Sequence, residues 1–509
     1  MNFLKRINYR ILMTVIIIIA QIVWGLVFFL RILDYAEWIS TILFIFSILV
    51  VLFLNMKEEN ASYKIGWIIL IMAFPLFGGL FYLLFGNKRP SKFMRLALSR
   101  EHKKVLPYLK QDVKPVKSLN YNDKRAMGMS DYLYKISDYP LYANTESEYY
   151  SLGEEMFESM LKEMEKAKDY IFFEYFIIEE ERMWGRMLDL LIRKVQEGVD
   201  VRMIYDDVGS LFLLPSDFPT KMENVGIKCL AFNRFRPILS AVMNHRNHRK
   251  ILVIDGFTGF TGGINIADEY INEKERFGHW KDTGIMLKGK GVWSFVVMFT
   301  EMWNAFREDR INIESLKQEE NMMDKLSSDG FVQSFSDSPL DNEPLGENIY
   351  IEILAQATDY VYIFTPYLII DNELQTALQL AAKRGVDVRI VTPGIPDKKL
   401  VFRITRSNYL PLLKAGVRIY EYTPGFMHAK SFVSDNKLAL VGTINMDYRS
   451  LYLHFECGTI LYNSKTIMDI KKDSIETISL SNEIRIEDTN KGFFTRILDA
   501  IIRLFAILF

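Results

Sequence analysis

Cysteine and histidine are scarce in this chain. Its 509 residues include two cysteines, Cys229 and Cys457, and six histidines. Two cysteines cannot build a disulfide framework, and no CxxC or HExxH spacing occurs, so neither a metal nor another cofactor is expected. Each cysteine lies in an apolar, strand-like run, which reads as a buried free thiol and is compatible with a reducing compartment. Net charge is nearly absent too: 62 basic residues stand against 63 acidic ones, a balance of -1. That gives no global pull toward nucleic acid, whose phosphates reward clustered positive charge. Apolar residues, in contrast, make up half the chain. They suffice for a large core, and the length suggests two or three domains.

Much of that apolar content is concentrated near the N-terminus. Ile11 to Leu30, Trp38 to Met56 and Ile65 to Phe85 are three hydrophobic stretches. Each is close to the roughly 20 residues a helix needs to cross hydrocarbon. No small-residue cleavage site follows the first, so residues 1–86 read as an uncleaved, multi-pass membrane anchor in a cell membrane. Lys5, Arg6 and Arg10 place the N-terminus in the cytoplasm, and Lys88, Arg89, Lys92, Arg95 and Arg100 ask for the same side. One stretch is then re-entrant or interfacial; Pro75, Gly78 and Gly79 mark the third as a candidate. The large C-terminal part is expected in the cytoplasm. Residues 87–140 read as a basic connector, with His102 as a solvated residue in it.

The rest of the chain is written twice. Glu154–Lys168 has helical periodicity, Tyr170–Ile178 reads as a buried strand, Met183–Gln196 as a helix, and Val199–Tyr205 as a strand after Gly198. The order returns as helix 349–357, strand 360–366 and helix 373–383. Gly385-Val386-Asp387-Val388-Arg389 then repeats Gly198-Val199-Asp200-Val201-Arg202 residue for residue. Such a repeat argues for duplication of one α/β unit. The boundary falls near residues 310–345, giving a first domain over 141–325 and a second over 326–509. The second ends in an apolar segment, Phe493 to Phe509, which reads either as an amphipathic helix on a bilayer or as one packed on the protein.

Within the duplication, His248-x-Lys250 is followed by Asp255, and His428-x-Lys430 by Asp435. Gly262, Gly263 and Asn265 continue the first copy; Gly442, Thr443 and Asn445 continue the second. Residues two apart in a strand face one side, so imidazole and ammonium can reach one ligand together. Two such copies suggest one site with facing imidazoles, suited to phosphoryl transfer. One histidine attacks phosphorus; the other protonates the leaving alkoxide and then deprotonates the incoming alcohol or water. Lys250, Lys430, Asn265 and Asn445 are expected to stabilise the non-bridging oxygens. Each imidazole also needs a carboxylate on its other nitrogen. The candidates are Glu456 for His428 and Asp282 for His248. Asp255 and Asp435 belong to the catalytic motif, but they sit past the strand and are expected to brace loops. His245 and His454 lie near the pocket by sequence and read equally as structural or substrate-contact residues, and His279 with Trp280 reads as a candidate for the pocket wall. Arg234, Arg236, Arg246 and Arg249 read as a solvated face or a phosphate holder.

These residues resemble the phospholipase D superfamily, and within it the bacterial cardiolipin synthases. The stretches 248–255 and 428–435 match the superfamily's HxKxxxxD motif twice. Gly262–Tyr270, His279-Trp280-Lys281-Asp282, Thr365-Pro366-Tyr367, Gly442–Ser450 and Tyr82–Gly86 are similar to the synthase branch. The superfamily often has Ser where this chain has Gly263 and Thr443. The resemblance implies duplicated phospholipase D-like mixed sheets flanked by helices, an α/β fold, here with an N-terminal helical membrane anchor. It implies a phosphatidyltransferase that joins two phosphatidylglycerol molecules into cardiolipin and releases glycerol through a phosphohistidine. It further implies His248 as nucleophile and His428 as acid and base, although the motifs alone are symmetric. Phosphatidylglycerol and anionic membrane lipids are the expected partners, without nucleic acid and with a homo-oligomer open. A membrane phospholipase D that yields phosphatidic acid, or another phosphatidyltransferase, would carry the same residues.

Overall fold

The computed structural model describes residues 37–509 except 58, 75–77, 80, 83–85, 87–89, 236–243, 317–325, 327–329, 342, 491, 505 and 507–509, together with 19, 23, 24, 26 and 27. Two large sheets dominate it. The first half contributes β1 (Thr145–Tyr150), β2 (Tyr170–Tyr175), β3 (Asp200–Asp206), β4 (Lys228–Phe232), β5 (Ile251–Ile254), β6 (Thr258–Gly262), β7 (His279–Lys281) and β8 (Gly284–Gly289). The second contributes β9 (Phe331–Asp337), β10 (Tyr360–Phe364), β11 (Asp387–Pro393), β12 (Arg418–Tyr422), β13 (Gly425–Met427), β14 (Ser431–Ser434), β15 (Leu438–Gly442), β16 (Glu456–Tyr462) and β17 (Ser481–Ile484).

The spatial orders are β1-β8-β6-β5-β2-β3-β4 and β9-β16-β15-β14-β10-β11-β12-β17. The same order of equivalent strands recurs, with β17 as an added edge. In each sheet a parallel trio (β2-β3-β4, β10-β11-β12) meets an antiparallel set at the motif strand, β5 or β14. Helices such as Arg182–Gln196 and Asn372–Lys383 make the parallel crossovers. Met183, Met187, Leu190 and Leu191 form the buried stripe of the first, and Leu374, Leu378 and Ala381 that of the second. Both crossovers turn into the next strand through a glycine with positive φ, Gly198 at 94° and Gly385 at 96°, where a Cβ would be strained. The mixed sheets and flanking helices expected from the duplicated sequence are therefore present.

The region before the first sheet is more integrated than its sequence suggests. Helices Lys92–Val105, Val113–Asn122 and Lys124–Ser137 bury Leu98, Leu119, Met129 and Leu133 in the main core. Gln333 donates to the Ser130 and Tyr139 carbonyls, which ties this segment to β9. His102 is not a solvated residue: it lies between Glu301 and Asp138, and hydrogen bonding to Glu301, against its partial burial, raises its pKa to about 9.

The membrane reading of the N-terminus is corrected. Among the described residues no helix is long and apolar enough to cross a membrane. The anchor, the transmembrane helices and the multi-pass topology are thus not upheld. The stretch Ile11–Leu30 lies outside the described residues except for Ile19, Val23, Trp24, Leu26 and Val27. The helix Ala61–Ala73 has 13 residues, about 20 Å at 1.5 Å per residue, against roughly 30 Å of hydrocarbon. The helix Glu37–Met56 ends against protein. Leu54 is fully buried in a cluster with Tyr63, Trp67, Ile71 and Tyr82 that continues into Ile369, Val401 and Ile404 of the second half. Asn60 donates to Asp371 at 2.6 Å, which fastens the helix pair there. The C-terminal helix Phe493–Leu504 is docked on one side through Arg403 and Asp499 at 2.6 Å, while Phe493 and Phe494 remain exposed.

Candidate active site

Each motif histidine stands two residues before its lysine, and each lysine directly before its strand. His248 and Lys250 precede β5, and His428 and Lys430 precede β14; all four are at least nine-tenths buried. Two short cross-connections between the halves set the geometry. Asn247 bridges Phe455 in parallel fashion, and the His248 N–H donates to the Phe455 carbonyl at 2.9 Å. β7 pairs with β13 so that Met427 faces Lys281, and the His428 N–H donates to the Lys281 carbonyl at 2.8 Å. One step further along each pairing, His248 comes beside Glu456 and His428 beside Asp282.

The carboxylate assignments are therefore crossed relative to the sequence reading. His248 Nδ1 lies 2.9 Å from both Glu456 oxygens, and His428 Nδ1 lies 2.6 Å from Asp282 Oδ2. Glu456 belongs to the second half and Asp282 to the first, so each imidazole is held by the opposite half. The expectation had paired each carboxylate with the wrong histidine because chain proximity was its only guide. Both Nδ1 atoms are thereby engaged by carboxylates, so the reacting nitrogen of each ring is Nε2, which in His428 lies 3.1 Å from Lys430 Nζ. Burial pushes His248 down to about 3 and His428 down to about 4. Burial would raise both carboxyls, but His248 holds Glu456 below its ordinary value, and His428 and Lys430 do so for Asp282.

The lysines complete one shared space. Burial pushes Lys250 down to about 7 and Lys430 down to about 8. Each feels the charges of both halves, Lys250 through Glu456, Lys430 and Asp282. Lys250 Nζ donates to the His248 carbonyl at 2.7 Å, and Lys430 Nζ lies 2.9 and 3.1 Å from the two His428 ring nitrogens. Among the described residues neither Lys250 nor Lys430 has a hydrogen bond to a carboxylate, and two such buried amines suit an anion such as a phosphodiester.

The asparagines differ. Asn265 accepts the Ile177 N–H and donates to Tyr270 Oη at 2.8 Å, so its amide supports the wall. Asn445 is buried with Oδ1 unpaired. The structure does not bring Asp255 or Asp435 to the imidazoles. They sit beyond the far ends of β5 and β14. Asp255 accepts the N–H groups of Lys168, Asp169 and Tyr170; Asp435 accepts those of Thr358, Asp359 and Tyr360. Arg246 and Arg249 are neither solvated nor free for phosphate: Arg246 bonds Asp206, and Arg249 faces Glu174 and Ser336. Arg236 lies outside the described residues. His245 bonds the Leu453 carbonyl, and His279 bonds Tyr422 Oη at 3.0 Å.

Two features escaped the sequence reading, and a third, His454, was expected near the pocket without its partners. Thr443 donates to Glu456 Oε2 at 2.5 Å. Gly263 makes room for Asp282: a Cβ there would lie 1.9 Å from Oδ1. His454 stands with its ring 5.5 Å from that of His248 and its Nδ1 3.6 Å from Glu456. Its position two residues before Glu456 was the available signal. His248, His454 and Glu456 bring ligand atoms within 4.8 Å of one another and would be able to hold a metal ion, as would Glu179, Glu181 and Glu269.

Two sheets sharing paired HxK motifs define a phospholipase D-type enzyme. The family model described as "Cardiolipin synthase, PLD-like domain" matches residues 160–286 and again 350–476, and "Phospholipase_D-nuclease N-terminal" matches 42–87. A cardiolipin synthase of Alkalihalophilus pseudofirmus is 33% identical, covering 88% of this chain and 89% of its own. Cardiolipin synthase 2 of Bacillus anthracis is 34% identical, covering 86% and 84%. An uncharacterized protein of Streptococcus mutans is 44% identical over 90% and 98%. The structure of a phosphatidylserine synthase of Haemophilus influenzae aligns with a TM-score of 0.56 at 14% identity, covering 75% of this chain and 98% of that one, a likeness of fold. The chain belongs to the bacterial cardiolipin synthases of the phospholipase D superfamily, a family of phosphatidyltransferases.

Proposed function

We propose that this enzyme transfers a phosphatidyl group between two phosphatidylglycerol molecules, giving cardiolipin and glycerol through a phosphohistidine. The observation that carries the reading is the pair of buried imidazoles, each fixed through Nδ1 by a carboxylate of the opposite half. The names of the relatives support phospholipids as the substrate class. The phosphodiester anion sits between Lys250 and Lys430, and its charge pulls the depressed lysines and histidines back toward their protonated forms. One imidazole Nε2 forms the bond to phosphorus while the other protonates the departing glycerol oxygen. The acceptor hydroxyl then returns a proton to that second imidazole, bonds phosphorus and frees the first. Asn445 and the lysines steady the non-bridging oxygens, while Asp255 and Asp435 hold the ends of the motif strands.

Product analysis tests this. The purified full-length protein is given phosphatidylglycerol in mixed micelles, beside His248→Ala and His428→Ala. Cardiolipin and glycerol in equal amounts, absent in both variants, is the expected result. Phosphatidic acid as the main product would replace the synthase reading with a hydrolase.

A further inference from the structure

One buried histidine has no part in the proposed reaction. The His454 side chain is 10% exposed, and neither of its ring nitrogens has a hydrogen-bond partner. Its Nδ1 lies 3.6 Å from Glu456 Oε1, too far for a hydrogen bond. An imidazole buried without partners destabilises a fold, so its presence calls for another use.

The backbone fixes where that ring stands. His454 and Glu456 flank Phe455, whose N–H donates to the Arg246 carbonyl and whose carbonyl accepts the His248 N–H, both at 2.9 Å. The His454 N–H donates to the Arg449 carbonyl at 3.0 Å. This pairing sets two imidazoles beside one carboxylate. The rings of His248 and His454 have centroids 5.5 Å apart, and Glu456 reaches His248 Nδ1 at 2.9 Å. One ligand atom from each of the three lies within 4.8 Å of the others. Ligand atoms of a tetrahedral zinc site, each about 2.0–2.2 Å from the metal, are about 3.4 Å apart. Side-chain shifts of about 1 Å would therefore close such a site. Thr443 donates to Glu456 Oε2 at 2.5 Å, the kind of outer bond that orients a ligating carboxylate. His454 also lines a cavity of about 950 Å³. Asp341, Glu343, Glu347, Asp371 and Glu373 share that lining, against Lys57 as its single Lys or Arg among the described residues. Such a lining concentrates cations at His454. The three ligands come from both halves of the chain, so no HExxH or CxxC spacing announces them.

We propose that His248, His454 and Glu456 form a zinc site that reversibly switches the enzyme off. Two imidazoles and one carboxylate suit Zn²⁺ over Ca²⁺ or Mg²⁺, which take oxygen ligands. Bound zinc takes up the Glu456 carboxylate, and with it the bond that fixes His248 Nδ1. His248 becomes a ligand itself and loses its orienting partner, so it no longer serves at phosphorus as nucleophile or as acid and base. The metal is an inhibitor here, not a cofactor of the transfer. Zinc binding is independent of the proposed reaction, whereas the inhibition rests on it.

Calorimetric titration of Zn²⁺ into the full-length enzyme in detergent tests this, with Co²⁺ absorption as a second probe of imidazole ligation. One tight site per chain is expected, from which Mg²⁺ and Ca²⁺ do not displace the metal. His454→Asn should weaken it by at least the roughly 10–100-fold that loss of an outer partner costs. His248→Asn, read by binding alone, should do the same. Glu181→Gln, in the separate group of Glu179, Glu181 and Glu269, should leave it intact. Cardiolipin formation should fall to near zero as the site fills and return with a chelator. His454→Asn, scaled to its own rate in chelator, should need at least about tenfold more zinc for the same loss. A chain without a tight zinc site, or binding unchanged in either histidine variant, would overturn the site. Zinc bound with turnover unaffected would overturn the switch. A tight site in an enzyme that makes no cardiolipin even with chelator would leave the metal site standing and overturn the phosphatidyltransferase reading.

Discussion

Replacing Gly263 by alanine should cripple the enzyme, although the position carries no functional group. The added Cβ would lie 1.9 Å from Asp282 Oδ1. That carboxylate is fully buried and pinned twice, by the Thr283 N–H at 2.9 Å and by His428 at 2.6 Å. It must retreat by more than a C–O bond length, which breaks the bond that orients His428. A charge-assisted hydrogen bond contributes about 1.5–3 kcal/mol, and overpacking costs about 1–3 kcal/mol more. The expected destabilisation is thus about 2.5–6 kcal/mol. Misplacing an acid–base or nucleophilic imidazole should lower kcat by about 10²–10⁴. The second half tolerates Thr443 at the equivalent position because Glu456 is one methylene longer than Asp282 and meets the threonine hydroxyl instead. Gly263→Thr combined with Asp282→Glu should therefore recover part of what Gly263→Thr loses. Thermal unfolding and cardiolipin formation, measured as a double-mutant cycle, check both statements. A Gly263→Ala enzyme with unaltered Tm and turnover would refute the reasoning.

Asp255→Asn should lower stability by about 2 kcal/mol, since its carboxylate gathers three backbone N–H groups before β2. The positive φ of 50° there is one that Asn accepts, and KM should stay within about twofold; steady-state kinetics beside a denaturant curve separate bracing from proton transfer. Between pH 7 and 9 turnover and stability should move in opposite directions. Lys250 and Lys430 lose their protons near 7 and 8 when folded, whereas unfolded lysine keeps its proton to about 10.4. Phosphate binding therefore weakens with rising pH while the lysines' contribution to folding grows. A pH–rate profile run with melting curves shows the divergence, and parallel declines would contradict it. Gly185 lies inside the helix Arg182–Gln196 with nothing within 4 Å of an added Cβ. Gly185→Ala should stabilise by about 0.5–1 kcal/mol, visible as a higher Tm.

The duplicated sheets were legible because hydrophobic periodicity, helix-closing glycines and a literal repeat all pointed the same way. The histidines and lysines were legible as a spacing. The pairing of carboxylates was not, since Asp282 and Glu456 reach their imidazoles through β7–β13 and the Asn247–Phe455 bridge, contacts between segments far apart in sequence. The arginines near the first motif looked like a charged face because nothing local reveals that Asp206 and Glu174 await them in the interior. His102 was misread in the same way, its partner Glu301 lying on a distant helix. The hydrophobic N-terminal stretches resembled spans by composition, yet Leu54 and Trp67 are spent on packing against Ile369 and Val401.

The crossed carboxylates make each half of the chain a chaperone of the other's reactivity. A lone first half would hold His248 with no carboxylate and Asp282 with no imidazole, and a lone second half the reverse. A single-repeat forebear with this wiring would work only as a symmetric dimer, each copy lending its acid to its twin. After fusion, the residues lent across the junction cannot drift independently: Glu456 is tied to His248, and Asp282 to His428, while within their own halves Thr443 bonds Glu456 and Gly263 makes room for Asp282. Expressed as two separate polypeptides, the halves would regain activity only in each other's company.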